Sequence, residues 1–347
     1  RFISNRSSGK MGYALAKISK NMGASVILIS GPVSIADIPE VTTIKIETAD
    51  EMKNAVVRNC AKADYIFMAA AVADYMVPAA YGTQTAGSIH RPAAYCGVIG
   101  YKPTFDTFNT HGIWPAAQSL DTLGLLSRSM DDVELVSAVL LGRKPEIFGS
   151  IKVPSRLAIC RTHLWETVNP ETSQAILDAR ERLEVQGVEV IDLDLPSSFQ
   201  TLIEARDIIS SYERARATAH EWFNHRDKLS KPLQKTLIKG FNWAYEDYVN
   251  AMQTGANCRK ELDNLFDGFD AFIAPCTAGE APPDLKSTGD HTHIGFWNIL
   301  HVPSYSLPTH KGPNGMPVAL QLIGKHGADK DLYKVACWIM DQLVPKK

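Results

Sequence analysis

The sequence predicts an α/β protein built from two unlike parts: a partial, parallel βαβ segment, then a longer α/β part with a mixed sheet. Two patterns and one change of texture lead there. Strands alternate with helices over about the first 75 residues, the arrangement that closes into a doubly wound parallel sheet. After Tyr81, Gly, Pro, Thr and Ser become frequent. Beyond residue 128 long amphipathic helices alternate with short apolar runs.

The elements follow in order. Residues 9–22 show helical spacing of Met11, Leu15, Ile18 and Met22, and stop at Gly23. "SVILIS" (25–30) is a short apolar run ended by Gly-Pro, hence a buried strand. "TTIKIETA" (42–49), a helix over 50–60 and the apolar strand "YIFMAAAVA" (65–73) complete the segment. Residues 82–128 read as loop-rich. A helix over 130–141 takes Ser129 or Asp131 as N-cap. "RLAIC" (156–160), "VEVIDLDL" (188–195), "AFIAP" (271–275), "SYSLP" (304–308) and "VALQLIG" (318–324) read as strands. Helices are expected over 171–186, within 199–223 and 243–266, and over 330–343. The domain division expected is 1–75 and 76–347.

Composition sets the partners. With 45% hydrophobic and 21% charged residues over 347 positions, the chain is ordinary for a globular protein. A formal charge of -2 gives no global reason to bind nucleic acid or an anionic membrane. No apolar run reaches membrane-spanning length. The start, "RFISNRSSGK", lacks Met and an apolar leader, and reads as the middle of a longer chain. The six cysteines are scattered with no C-x-x-C pair, so no metal or redox motif is expected, and reduced thiols point to a cytoplasmic protein.

Chemistry concentrates in "GTQTAGSIHRPAAYCG" (82–97). Gly82, Ala86 and Gly87 let a backbone approach a substrate and expose successive N–H groups. Ser88 ends the turn, where its hydroxyl could attack while those N–H groups hold an oxyanion. This stretch resembles the amidase signature family, whose nucleophile lies in a G-x-x-T-G-G-S-I-R-like motif followed by P-A-A-[FY]-C-G. The likeness continues through "GYKPT" (100–104), "SLDTLGLLSRSMDD" (119–132), "FDAFIAPCTAGEAPP" (269–283) and "FWNILHVPSYSLPTHKGPNGMPVALQLIG" (296–324). It covers about residue 76 to the C-terminus.

The resemblance implies hydrolysis of a small-molecule amide C–N bond through an acyl-enzyme, with no cofactor. Ser88 would be the nucleophile, and Thr85, Ala86 and Gly87 would lend oxyanion-hole N–H groups. Gln84 stands where many members have Asp, and Ala86 replaces the first Gly of the pair. The family activates its nucleophile with a bridging Ser from an upstream G-S-S-[GS]-G-S motif and a Lys further upstream. That motif is absent from these residues, the sole serine between Ser30 and Ser88 being Ser34. Impaired activity is therefore expected, because a Ser hydroxyl at its free pKa needs a base. "SSGK" (7–10) opens a helix, His90 reads as a polar loop side chain, and "DHTH" (290–293) as a solvent-exposed loop.

The N-terminal part resembles phosphopantothenate–cysteine ligase, the C-terminal half of a bifunctional coenzyme A biosynthesis flavoprotein with a Rossmann-like fold. The residues are "RFISNRSSGKMG" (1–12), "VILISGPVS" (26–34), "ETADEM" (47–52) and "MAAAVADY" (68–75). That likeness implies nucleotide and substrate contacts from Arg1, Asn5, Ser7, Ser8, Ala70 and Ala71, with phosphate at a helix N-terminus. The ligase alternative would use CTP and Mg. Its lysine-rich loop after "AAVADY" is missing. The two patterns share "AAAVAD", so the chain reads as a chimera joined inside those letters: an impaired amidase, with the ligase or a catalytically silent chimera as alternatives. A homo-oligomer is compatible with the sequence.

Overall fold

A computed structural model describes residues 9–60, 63, 79–146, 153–283 and 287–344. The chain divides into two compact units, Arg1–Val77 and Pro78–Lys347.

In the first unit α1 (Lys10–Asn21) leads to β1 (Ile27–Ser30), β2 (Thr42–Lys45) and α2 (Ala49–Cys60). β1 and β2 pair in parallel, Ile27 opposite Thr42. Tyr13 and Ala16 of α1 and Ala55 of α2 are buried. The Tyr13 hydroxyl donates to Ser30 Oγ at 3.2 Å and accepts from Lys45 Nζ at 3.1 Å, tying helix to both strands. Gly9 caps α1 at a φ of 70°, where a Cβ would lie 2.7 Å from Val33 Cγ1. Only glycine fits such a left-handed, crowded position. The strand expected over 65–73 lies outside the described residues.

The second unit contains β3 (Ala79–Gln84), α3 (His90–Cys96), β4 (Ile99–Lys102), β5 (Thr122–Ser127) and α4 (Met130–Leu140). Then come β6 (Arg156–Arg161), α5 (Pro170–Val185), β7 (Glu189–Asp194), α6 (Leu202–Ala217), α7 (Ala219–Asn224), α8 (Lys231–Asn242) and α9 (Tyr245–Leu265). β8 (Ala271–Pro275), α10 (Thr292–Asn298), β9 (Ser304–Lys311), β10 (Pro317–Ile323) and α11 (Asp329–Leu343) complete it. The described strands form one sheet in the order β3-β5-β4-β9-β10-β8-β6-β7. β6 runs parallel to β7 and β8, and the remaining pairs are antiparallel.

Side-chain alternation sorts this sheet into two faces. Leu157 and Ile159 of β6 and Ile273 of β8 pack with Ala175, Ile176 and Ile339 from α5 and α11. Ala158 and Cys160 of β6 and Phe272 and Ala274 of β8 pack with Leu202, Ile209, Leu262, Phe296 and Trp297 from α6, α9 and α10. β6 and β8 are apolar on both faces because both are covered. Ser129 is the N-cap of α4, its Oγ accepting from Asp132 N at 3.1 Å.

The loop-rich reading of 82–128 is corrected: the segment holds the second half of β3 together with α3, β4 and β5. Glycine and small residues misled the pattern. Gly100 and Gly124 lie inside strands because neighbours come too close for a side chain; a Cβ at 124 would meet Tyr101 O at 2.5 Å. α8, with Gly240 in its last turn, and the seven-residue α10, with Gly295, also escape the sequence reading.

Gly240 of α8 marks the tightest helix crossing, since a Cβ there would lie 1.9 Å from Ser211 O of α6. Gly240→Ala should destabilise the second unit by about 1–3 kcal/mol through forced separation of α6 and α8. Urea unfolding monitored by tryptophan fluorescence measures it.

Candidate active site

The turn between β3 and α3 is fixed from its own residues. Gln84 ends β3 fully buried, and its Oε1 accepts from Ile89 N at 2.9 Å and His90 N at 3.0 Å. One side chain thus bridges the turn and satisfies backbone donors at the entry to α3. The shorter Asp found here in many amidases would sit a methylene further back, so the length of Gln84 suits this reach.

A second layer holds the turn from below. Asn298, at the end of α10 and 1% exposed, donates through Nδ2 to Thr85 O at 2.8 Å and Leu120 O at 3.0 Å. Its Oδ1 accepts from Gln84 Nε2 at 3.4 Å. Thr85 Oγ1 donates to Asp121, whose other oxygen accepts from Ala116 N at 2.6 Å and Ala117 N at 3.0 Å. Every atom of this brace is used, which makes such a buried network rigid. Asn298 and Asp121 carry no local sequence signal of this role; they converge only when β3, β5 and α10 are assembled.

On this support Gly87 is buried and Ser88 exposed. A Cβ at Gly87 would lie 2.6 Å from His291 Cβ, so the residues preceding α10 close directly over the turn. The N–H groups of Ala86, Gly87 and Ser88 donate to no partner among the described residues, and none of those residues is hydrogen-bonded to Ser88 Oγ. Thr85, Ala86, Gly87 and Ser88 therefore form one contiguous turn. Arg1, Asn5, Ser7, Ser8, Ala70 and Ala71 lie outside the described residues.

Two sequence readings are corrected. His90 is no loop side chain: it starts α3 fully buried, with Nε2 2.8 Å from Ser304 Oγ. Burial, helped by the Lys102 charge, lowers its pKa from 6.5 to about 3. The "DHTH" stretch is not a free loop either, because α10 begins at Thr292 and His293 is buried, 3.2 Å from Thr167 Oγ1. Among the described residues no group of His, Cys, Asp and Glu is arranged to hold a metal, and no helix is long and apolar enough to cross a membrane.

Lys102 is the lysine buried in this region, and its Nζ donates to Val302 O at 2.6 Å and Pro103 O at 2.9 Å. Burial lowers its pKa from 10.5 to about 7. Both partners are backbone carbonyls on the β4–β9 side of the sheet.

Two imidazoles, His90 buried and His301 partly buried, set a pH dependence. His90 and His301 both have pKa values lowered to about 3, chiefly by burial, so the unfolded chain takes up protons that the fold refuses. Their contribution is fully present above about pH 6.5 and declines between there and pH 3, with a slope of about 1.4 kcal/mol per pH unit for each. Urea unfolding at pH 7.5 and 5.5 should show this loss, and His90→Gln should flatten it by one histidine's share.

Comparison with known proteins places the chain. Residues 68–333 match the Amidase family, and residues 1–86 match the DNA/pantothenate metabolism flavoprotein C-terminal domain, the two overlapping over 68–86. The A-type subunit of glutamyl-tRNA(Gln) amidotransferase from Geobacillus sp. (strain WCH70) is 29% identical, covering 77% of this chain and 64% of its own length. Its mitochondrial counterpart from Mus musculus is 26% identical, covering 79% and 61%. A solved amidase superposes with a TM-score of 0.69 at 27% identity, covering 76% of this chain and 63% of its own. A 6-aminohexanoate cyclic dimer hydrolase shares the fold at a TM-score of 0.66 and 19% identity. The chain thus spans somewhat under two thirds of these relatives, and the greater part of it, residues 68–333, belongs to the amidase family.

Proposed function

We propose that the second unit is an amide hydrolase of the acyl-enzyme type, with Ser88 as nucleophile and the N–H groups of Thr85, Ala86 and Gly87 as the oxyanion hole. The observation that carries this reading is the braced turn itself. It presents an exposed hydroxyl beside unengaged N–H groups on a rigid support. Attack by Ser88 Oγ on an amide carbon would form the acyl ester and expel the amine; water would then release the acid. Donors fixed before the reaction stabilise the tetrahedral oxyanion at no cost in reorganisation.

The same reading holds that turnover is impaired. Upstream of the turn stand residues of the flavoprotein-domain type, and no G-S-S-G-S motif occurs within these 347 residues. Lys102, the nearby buried amine, is committed to two carbonyls. A serine without a base keeps only the catalysis supplied by binding and the oxyanion hole. The division at residues 75 and 76, a chimeric origin and a cytoplasmic setting for the six free cysteines belong to this proposal. The flavoprotein-domain match favours a second reading, a ligase-derived N-terminal segment.

A fluorophosphonate probe should label Ser88 slowly, as mapped by mass spectrometry, and Ser88→Ala should abolish the adduct; labelling retained elsewhere in that variant would overturn the assignment. Pyrophosphate release from CTP with phosphopantothenate should be undetectable, because the segment from Met76 to Ile89 carries no basic residue to offset triphosphate charge. A coupled pyrophosphate assay reads this directly.

A further inference from the structure

His301 lies in the link from α10 to β9 and has a left-handed backbone, with φ at 62°. Glycine and asparagine are the residues that usually follow a helix in this conformation, because a β-carbon crowds the neighbouring carbonyl there. The link is held on both sides of the histidine. Arg259 Nη1 donates to Ile299 O at 2.8 Å, His301 N to Asn298 O at 3.1 Å, Phe105 N to His301 O at 3.0 Å and Lys102 Nζ to Val302 O at 2.6 Å. Such ties keep an unfavourable backbone in place, and the strain points to a use for the side chain.

The imidazole makes two contacts. Its ring stacks on Phe105, with centroids 4.1 Å apart and planes 15° from parallel. Its Nε2 lies 2.9 Å from Ser119 O. A carbonyl only accepts, so Nε2 carries the proton and donates. The ring is neutral at pH 7, burial and the nearby Arg259 charge having lowered its pKa to about 3, so this is its single N–H.

The bond reaches the brace under the nucleophile turn. Ser119 O is next in the chain to Leu120 O, which accepts from Asn298 Nδ2 at 3.0 Å. Two adjacent carbonyls are thus held by side chains three residues apart at the end of α10. The following residue, Asp121, accepts from Thr85 Oγ1, and Asn298 Nδ2 also donates to Thr85 O at 2.8 Å. Thr85 is therefore gripped from the 119–121 segment and from α10 at once. One bond between those two supports sets a distance; a second beside it sets an orientation.

We infer that His301 is a positioning residue for the nucleophile turn: with Asn298 it fixes the 119–121 segment against α10, so that Asp121 and Asn298 hold Thr85 together. The inference rests on the reading of that turn as the acyl-enzyme site. His301 acts through the brace and not on the substrate.

The test uses the full chain. With 15N-labelled histidine at pH 7, the His301 ring, assigned through His301→Gly, should carry its proton on Nε2. Glycine accepts the left-handed backbone and removes the donor, whereas glutamine places an amide nitrogen near the position of Nε2. Where urea titration shows each variant fully folded, His301→Gly should slow fluorophosphonate labelling of Ser88 about tenfold, and His301→Gln should return it to within about threefold. Hydrogen exchange at the Asn298 side-chain amide should quicken in His301→Gly and recover in His301→Gln. An Nδ1–H tautomer, an unchanged rate in His301→Gly, or equal slowing in the two variants would overturn the inference. Labelling that misses Ser88 altogether would instead overturn the reading of the turn, and the Asn298 exchange would still decide whether His301 holds the brace.

Discussion

The Asn298 carboxamide is the interaction on which the rest of the site depends. It is buried where α10 meets the sheet, and its three hydrogen bonds reach Gln84 and Thr85 on one segment and Leu120 on another. Gln84 and Leu120 are buried and Thr85 partly so, and removing the carboxamide would leave the buried Gln84 Nε2 without its acceptor, at about 1–3 kcal/mol. Through Gln84 the constraint passes to Ile89 and His90, and so fixes the entry to α3. A turn that must keep its N–H groups unspent needs its carbonyl side tied down by something else. Asn298 and Asp121 do that.

Order at the turn and chemistry at Ser88 are separable. Packing and hydrogen bonding hold the oxyanion side, and all of those contacts come from residues 82–298 of the second unit. Activation of a hydroxyl requires a group that accepts its proton, and that group comes, in the resemblance to the amidase signature family, from residues upstream of the turn. On the proposed reading this chain keeps the fold's electrostatic half and lacks its proton-transfer half.

Much of this was legible in the sequence. Strands such as β6, β7, β8 and β10 and helices such as α5, α9 and α11 fall within a few residues of their apolar patterns, because burial on a sheet face or helix stripe leaves a periodic trace. The turn was legible because its glycines and serine are contiguous. What supports it was not. Gln84, Asp121 and Asn298 are far apart in the chain and meet only in the folded sheet. His90 reads as polar, yet burial against Ser304 makes it part of the core. β3, β4 and β5 escaped because close backbone contacts place glycines inside them, the residue that a pattern reading takes for a loop.

The central claim is that Ser88 is presented without a base, and the pH dependence of its reaction with the fluorophosphonate probe tests it most directly. A hydroxyl that must ionise unaided reacts in proportion to its alkoxide, so the logarithm of the labelling rate should climb with unit slope across neutral and mildly alkaline pH and show no plateau. A sigmoidal profile, levelling above an apparent pKa near neutrality and unchanged by salt, would reveal a resident proton acceptor and contradict the account.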